Sequence, residues 1–324
     1  MAEFANPTPT AARGFDYGST VGEPRVFDAG GVVYGVALTR DGTRAAAAIG
    51  CGDDNVCKVW DVTTGALVHT LAGHDRDVTG CAFSGDGSVI VTSSGDKTAR
   101  VWDAATGAER KVLEGHTHWV TSCAVTRDGT IAATGAWDST ARLWDCASGA
   151  ELQQLGKSIP EEGEKFVTSV AFSADGATVA TGHCENKAEL WDVATGAKLG
   201  VLEGHAARVC GVSFSGGNTV ATCGYDHVVR VWDSRTFEAV AVLGEEGEGY
   251  ANWVPCCAFA DDGASVLAGG QFGELALWDV KTQTITASIT AGHKKRVNGV
   301  ALAANGKTCA AGSGDCTASV RKLP

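Results

Sequence analysis

The chain of 324 residues is short of positive charge, with 26 lysines and arginines against 38 aspartates and glutamates, and its net charge is −12. A negative field of this size repels phosphate backbones, so we expect no direct nucleic-acid partner. No apolar run approaches the length of a membrane span, and residues 1–20 contain no apolar core of the kind found in signal peptides. We therefore expect no membrane partner and no secretion signal.

The motifs of catalysis and metal binding are also missing. There is no Gly-x-Ser-x-Gly motif and no phosphate-binding loop, and the eight histidines lack metal-ligand spacing. None of the twelve cysteines forms a Cys-x-x-Cys pair, and most lie in apolar, strand-like runs. This pattern favours reduced thiols in a reducing compartment, which we take to be the cytoplasm or, alternatively, the nucleus. We expect no catalytic residue, no cofactor and no metal.

A repeat dominates the sequence. The dipeptide Trp-Asp recurs six times at intervals of 41 to 47 residues, from Trp60-Asp61 to Trp278-Asp279. A seventh unit carries Arg321-Lys322 at that position. Each period holds four short runs of β type, and Asp-Gly turns such as Asp86-Gly87 separate the first two. Since helical periodicity is absent, we predict an all-β protein made of four-stranded antiparallel units.

These repeats resemble the WD40 β-propeller family, which also carries Gly-His pairs like Gly73-His74 and Gly115-His116. The resemblance covers residues 22–324 and implies a seven-bladed propeller, preceded by an N-terminal tail at residues 1–21. The last unit stops after its third strand, and residues 22–28 read like an outer strand. We therefore predict that the N-terminal strand closes the ring by completing the last blade.

The resemblance also implies a buried hydrogen-bonded set in each blade, consisting of a histidine, a strand serine or threonine, an aspartate and the tryptophan. These groups need partners once they are buried, so a structural role is expected and not a catalytic one. Blade four has Glu185 in place of the aspartate and no Gly-His, and blade six has Phe272. The expected members are His74, Ser93, Asp96 and Trp102 in blade two, His116, Asp138 and Trp144 in blade three, and His205, Asp226 and Trp232 in blade five.

Three tryptophans lie outside the Trp-Asp pairs. Trp119 and Trp253 precede the innermost strands of their blades, and Trp137 lies in the turn between the second and third strands. Both places fall at one end of a propeller blade, and the resemblance implies that this end binds peptides. Further residues at or near equivalent places are Tyr34, Phe166, Tyr225, Arg208 and Arg296. Because Trp, Tyr and Arg dominate binding hot spots, we predict a protein-binding face there.

The predicted function is therefore a non-catalytic protein–protein interaction scaffold, a monomeric ring within a larger complex. One alternative is a substrate receptor of a cullin-4-type ubiquitin ligase, because residues 220–235 resemble the box of those receptors and place Arg235 at an adaptor contact. A second alternative is a structural subunit of a large assembly, for example ciliary or ribosome-associated. Two acidic stretches, 156–165 and 244–250, could contact a basic partner or only solvent.

Overall fold

The computed structural model describes residues 23–51, 54–156, 165–244, 253–290 and 292–323. This part of the chain contains 28 strands and no helix, so it holds no helix that could cross a membrane. The N-terminal tail and most of both acidic stretches lie outside the described residues. In chain order, the strands are β1 (Arg25–Asp28), β2 (Val32–Leu38), β3 (Arg44–Gly50), β4 (Val56–Asp61), β5 (Leu67–Ala72), β6 (Val78–Phe83), β7 (Val89–Ser94), β8 (Thr98–Asp103), β9 (Glu109–Glu114), β10 (Val120–Val125), β11 (Ile131–Ala136), β12 (Ala141–Asp145), β13 (Glu151–Leu155), β14 (Val167–Phe172), β15 (Thr178–His183), β16 (Lys187–Asp192), β17 (Lys198–Glu203), β18 (Val209–Phe214), β19 (Thr219–Gly224), β20 (Val229–Asp233), β21 (Ala239–Leu243), β22 (Cys256–Phe259), β23 (Ser265–Gly269), β24 (Glu274–Asp279), β25 (Thr284–Thr290), β26 (Val297–Leu302), β27 (Thr308–Ser313) and β28 (Thr317–Lys322).

Seven antiparallel sheets of four strands form the blades. Blade one comprises β2–β5, and the next five blades follow in chain order to β25. The innermost strand of each blade contacts that of the next, and β26 contacts β2, so the blades form a closed ring. The prediction of an all-β, seven-bladed propeller is therefore confirmed.

The sequence of each turn explains the strand ends. Gly87 adopts φ 72°, which a glycine tolerates without cost, and Asp86 Oδ1 accepts hydrogen bonds from Ser84 Oγ (2.6 Å) and Ser88 N (2.9 Å). Asp103 of the Trp102-Asp103 pair also stabilises a turn, because its carboxylate accepts a hydrogen bond from Thr106 N at 2.8 Å. The Asp-Gly and Trp-Asp motifs thus fix where strands reverse.

The N-terminal strand closes the ring, as predicted. β1 pairs antiparallel with β28 in the last blade, with Phe27 opposite Ala318. The ring of Phe27 stacks on Trp60 of blade one at a centroid distance of 5.1 Å, and both side chains are buried in one apolar cluster between the two blades. The first and last parts of the propeller are therefore held together by both backbone pairing and apolar packing.

Candidate peptide-binding face

The predicted residues lie at two opposite ends of the blades, because successive strands of a blade run in opposite directions. We call top face the end at which the innermost strands begin and where the turns between second and third strands lie. The opposite end, the bottom face, carries the turns between first and second strands and between third and fourth strands. Trp119 directly precedes β10, and Trp137 lies between β11 and β12, so both are on the top face. Trp137 N donates to Trp119 O at 2.9 Å, which joins the two segments.

Four rings in blades three and four form what we call the aromatic stack. Trp137 lies at its centre, with ring centroids 5.2 Å from Trp119, 4.9 Å from Phe166 and 5.5 Å from His118, all at interplanar angles under 30°. The ring of Trp119 packs against the equivalent turn of blade two, where a Cβ on Gly95 would lie 3.4 Å from Trp119 Cδ2, at van der Waals contact. Offset stacking of this kind is favourable beyond the area it buries.

The stack remains accessible at the surface. Trp119, Trp137 and Phe166 are each half-buried, and His118 is exposed. Trp119 and Trp137 therefore contact each other and also remain partly exposed to solvent. His118 was not predicted, although it too lies beside Trp119 and outside the repeat pattern.

A second aromatic pair lies in blades five and six. Tyr225 and Trp253 stack with centroids 4.4 Å apart and an interplanar angle of 13°, and the Arg208 guanidinium lies 5.8 Å from the Tyr225 centroid. Phe272, in a top-face turn of blade six, is 59% exposed. Sequence reasoning treated Phe272 only as a lost aspartate. The signal that could have identified it is a large apolar residue at a position where other blades carry a charge.

Two arginines, Arg208 and Arg296, lie on the top face. Arg208 and Arg296 directly precede β18 and β26, and both lie close enough to Cys210 to oppose the effect of burial, which raises the pKa of that thiol to about 12. Arg296 Nε donates to Asn298 Oδ1 at 2.7 Å. Neither arginine forms a salt bridge with a carboxylate of the described residues. Arg208 Nε is buried and has no hydrogen-bond partner among the described residues.

Tyr34 lies elsewhere on the top face, in blade one. Its hydroxyl is hydrogen-bonded to Cys51 Sγ at 2.8 Å, and Cys51 N donates to Asp77 Oδ1 at 2.9 Å. Burial and the Cys51 contact raise the pKa of Tyr34 well above its usual range, so the phenol stays neutral. Asp77 occupies the place that Trp119 has in blade three, so this side of the face carries acid where the other carries indole.

The buried hydrogen-bonded set is present in blade two, but with a threonine one residue before the expected serine. His74 Nδ1 donates to Asp96 Oδ2 at 2.8 Å, and Thr92 Oγ1 lies 2.8 Å from His74 Nε2 and accepts from Trp102 Nε1 at 2.9 Å. Ser93 is not a member, and the expectation for it is corrected. Successive strand residues point to opposite faces, so its hydroxyl contacts Thr79 Oγ1 instead, at 3.0 Å.

The same geometry recurs in blades three and five, where the threonine is also present. The aspartates ionise easily despite their burial: in Asp96 and Asp138 burial raises the pKa, but the paired histidines and nearby hydroxyls outweigh it and hold the pKa well below its usual range. The members are His116, Asp138, Thr134 and Trp144 in blade three, and His205, Asp226, Thr222 and Trp232 in blade five.

Blade four builds the set from a different histidine. His183, on β15, has Nε2 2.8 Å from Thr181 Oγ1, which also accepts from Trp191 Nε1 at 2.9 Å. Burial lowers the pKa of His183 to about 4, so the ring is neutral. Glu185, the expected substitute for aspartate, faces Lys165 at 3.3 Å. His183 lies on the second strand of its blade and not in the segment before the innermost strand, so the repeat pattern does not predict it as a member of the set.

Arg235 is separated from all of these groups. It lies in the turn between β20 and β21, on the bottom face, where its backbone N donates to Asp233 Oδ1 at 2.8 Å. Its side chain is exposed. The structure therefore brings the aromatic and arginine residues to the top face, with Tyr34 on its far side, and leaves Arg235 on the opposite one.

The seven four-stranded blades and the hydrogen-bonded set repeated in several of them define a β-propeller built from sequence repeats. The family model described as "WD domain, G-beta repeat" matches residues 24–61, 65–103, 107–145, 154–192, 196–233 and 283–321, and the chain belongs to this WD40 family. The matches omit residues 234–282, which include the first three strands of blade six, β22 to β24, and the turn in which Phe272 replaces the aspartate. Propellers of this family generally act as non-catalytic scaffolds for protein interaction.

Three curated proteins show local similarity. The chain is 36% identical over 85 residues to WD repeat, SAM and U-box domain-containing protein 1 of Danio rerio, covering 26% of this chain and 17% of that protein. It is 35% identical over 77 residues to a guanine nucleotide-binding protein subunit beta of Lymnaea stagnalis, covering 24% and 22%. It is 32% identical over 103 residues to guanine nucleotide-binding protein G(I)/G(S)/G(T) subunit beta-1 of Homarus americanus, covering 32% and 29%. The matched segments thus span less than a third of each relative.

Proposed function

We propose that this propeller binds a peptide segment of a partner protein on its top face. The observation that carries the proposal is one surface with two aromatic groups, the aromatic stack and the Tyr225–Trp253 pair, and two guanidinium groups without carboxylate partners among the described residues. Aromatic and arginine side chains that are partly exposed together are the typical anchors of protein interfaces. The stack supplies a rigid apolar surface, and the arginines supply donors for acidic or carbonyl groups.

The arrangement favours recognition over structural support alone. Trp119 and Trp137 stack on each other, yet both remain partly exposed, whereas the tryptophans of the Trp-Asp pairs are 6% exposed or less. Indoles that served only to hold blades together would be covered in the same way. We further propose a ring that is monomeric within a larger complex and lies in the cytoplasm, a reducing compartment that agrees with the lack of disulfides among the described residues.

The test is affinity capture from a cell extract with quantitative mass spectrometry. A Trp119→Ala/Trp137→Ala variant is compared with wild type and with a control, Leu152→Ala/Val240→Ala, which removes exposed apolar side chains on outermost strands. We expect partners that disappear with the tryptophan variant and persist with the control. If no partner depends on the two tryptophans while both variants elute as folded monomers, the proposal is wrong.

A second candidate, a cullin-4 substrate receptor, rests on the exposure of Arg235 on the bottom face. In the same capture experiment, Arg235→Ala would remove ligase subunits and leave the top-face partners in place. If no ligase subunit is captured by wild type, this candidate is discarded.

A further inference from the structure

The bottom face departs from the repeat at one corner, where blade five meets blade four. In blades one to four, the turn between the third and fourth strands ends in a glycine with φ between 70° and 81°. The absence of a side chain at this glycine leaves room for one from the outermost strand of the preceding blade. The pairs are Gly65 with Arg25, Gly107 with His69, Gly149 with Lys111 and Gly196 with Gln153.

Blade five inverts this relationship. Phe237 occupies the turn position with φ 62°, and the facing residue on β17 is Gly200. A Cβ on Gly200 would lie 2.6 Å from Phe237 Cζ, so the phenyl ring rests directly on the strand backbone. The large and the small residue have exchanged places across the blade boundary. The exchange leaves an aromatic ring half-buried at the surface, next to Leu199, which is 46% exposed.

The charge of this corner also differs from that of the equivalent turns in other blades. Arg235 occupies a turn position that is alanine in blades two to four. The turn between the first and second strands carries Gly216 and Gly217, whereas five other blades have an aspartate in that turn (Asp41, Asp86, Asp128, Asp175 and Asp262). Compared with blades two to four, the corner has lost a negative charge and gained a positive one.

These residues line one groove with a volume of about 670 Å³. Phe237 and Leu199 form its apolar part, and Arg235 and Arg127 are its cationic members. Arg235 forms no salt bridge within the described ranges, while Arg127 lies 3.3 Å from Asp261. The acid of the groove, Asp175, has its Oδ1 occupied by the Ser173 hydroxyl (2.6 Å) and by Ala177 N (3.0 Å).

We propose that this groove is a second docking site, distinct from the top face, for a partner peptide in which an apolar side chain adjoins an acidic one. The apolar side chain of the peptide packs on Phe237 and Leu199. The Arg235 guanidinium donates two hydrogen bonds to the peptide carboxylate. Charge complementarity selects this occupant, because the corner is locally cationic on a chain of net charge −12.

The experiment is a selection of displayed random 12-residue peptides on the immobilised full chain, followed by fluorescence polarisation with the enriched peptides. We expect a class that pairs Leu, Ile or Phe with Asp or Glu. Its affinity should fall at least tenfold with Arg235→Glu. It should fall similarly with Phe237→Gly/Gly200→Gln, which rebuilds the arrangement of blade four and keeps the corner packed.

Two controls locate the site. Lys281→Glu reverses an exposed charge at the turn position of blade six that matches Arg235, and it should leave this class unaffected. Trp119→Ala/Trp137→Ala should also leave it unaffected, so failure of the top-face proposal does not bear on this one. Enriched peptides that are insensitive to Arg235→Glu, equally sensitive to Lys281→Glu or dependent on the two tryptophans would overturn the proposal, as would the absence of any acidic–apolar class.

Discussion

His183 and Thr181 lie two residues apart on one strand, β15, and are joined by a contact of 2.8 Å between Nε2 and Oγ1. In blades two, three and five, the corresponding threonine contacts a histidine from the segment before the innermost strand. Blade four thus keeps the imidazole–threonine–indole contact although it lacks the Gly-His pair. In blades two to five, the buried threonine and tryptophan therefore have hydrogen-bond partners whichever segment supplies the histidine.

Protonation of His183 should make part of the stability depend on pH. Burial lowers its pKa from 6.5 to about 4 in the folded chain, so the unfolded chain binds the proton first as the pH falls. The stabilisation is complete above pH 6.5 and is lost progressively towards pH 4, at up to about 1.4 kcal/mol per pH unit. We expect the free energy of unfolding in urea to fall from pH 7 to pH 5 by about 2 kcal/mol less in His183→Gln than in wild type.

The control for this measurement is Leu152→Gln, which introduces the same amide at an exposed site and removes no titratable group. It should keep the pH dependence of wild type. Parallel curves for wild type and His183→Gln would show that His183 does not titrate as its burial requires.

The corrected identity of the hydroxyl in blade two can be tested with neighbouring residues. Thr92→Val keeps the shape of the side chain but leaves His74 Nε2 and Trp102 Nε1 without the oxygen they share. We expect a loss of ~2–4 kcal/mol in the free energy of unfolding, since two buried polar groups lose their partner. Ser93→Ala removes the contact with Thr79 but leaves both buried ring nitrogens with their oxygen, and it should cost about 1 kcal/mol. Equal losses in urea titrations would contradict the assignment.

The architecture follows directly from local patterns, and the finer contacts do not. Trp-Asp spacing and Asp-Gly turns fix the blade count and the strand ends, and the run near Phe27 is sufficient to predict closure. Adjacent hydroxyls such as Thr92 and Ser93 cannot be distinguished by type, because only the register of the strand decides which one faces the histidine. The face of Trp119 and Trp137 follows from their position in the repeat.

Contacts between blades are the part that sequence reasoning did not reach. The stacking of Trp137 on Phe166 depends on the distance between blades three and four, which no motif encodes. Likewise, the exchange of Phe237 and Gly200 becomes visible only when two residues 37 positions apart are placed face to face. A site formed by two blades therefore cannot be predicted from the motifs of either blade.

On the bottom face, Asp261 of blade six binds arginines of two other blades. Its carboxylate accepts from Arg40 Nε at 3.0 Å and from Arg127 Nη2 at 3.3 Å. All three side chains are partly exposed, so each pair contributes only ~0–1 kcal/mol. We expect Asp261→Asn to lower the free energy of unfolding by about 1 kcal/mol in 50 mM NaCl and by less in 1 M NaCl. Asp262→Asn is the control, and an identical, salt-independent loss in both variants would refute a specific role for Asp261.

Ring closure should depend on Phe27 more than on any exposed residue of β1. Phe27 is 6% exposed and stacks on Trp60, whereas its neighbour Val26 is 53% exposed. Phe27→Ala removes a buried ring at the junction of the last and first blades and should cost ~3–5 kcal/mol, while Val26→Ala should cost less than about 0.5 kcal/mol. Loss of this packing frees β1 from β28 and uncovers a strand edge, so Phe27→Ala should also shift material from the monomer peak to aggregates in size-exclusion chromatography. A Phe27→Ala variant with wild-type stability and a single monomer peak would mean that backbone pairing alone closes the ring.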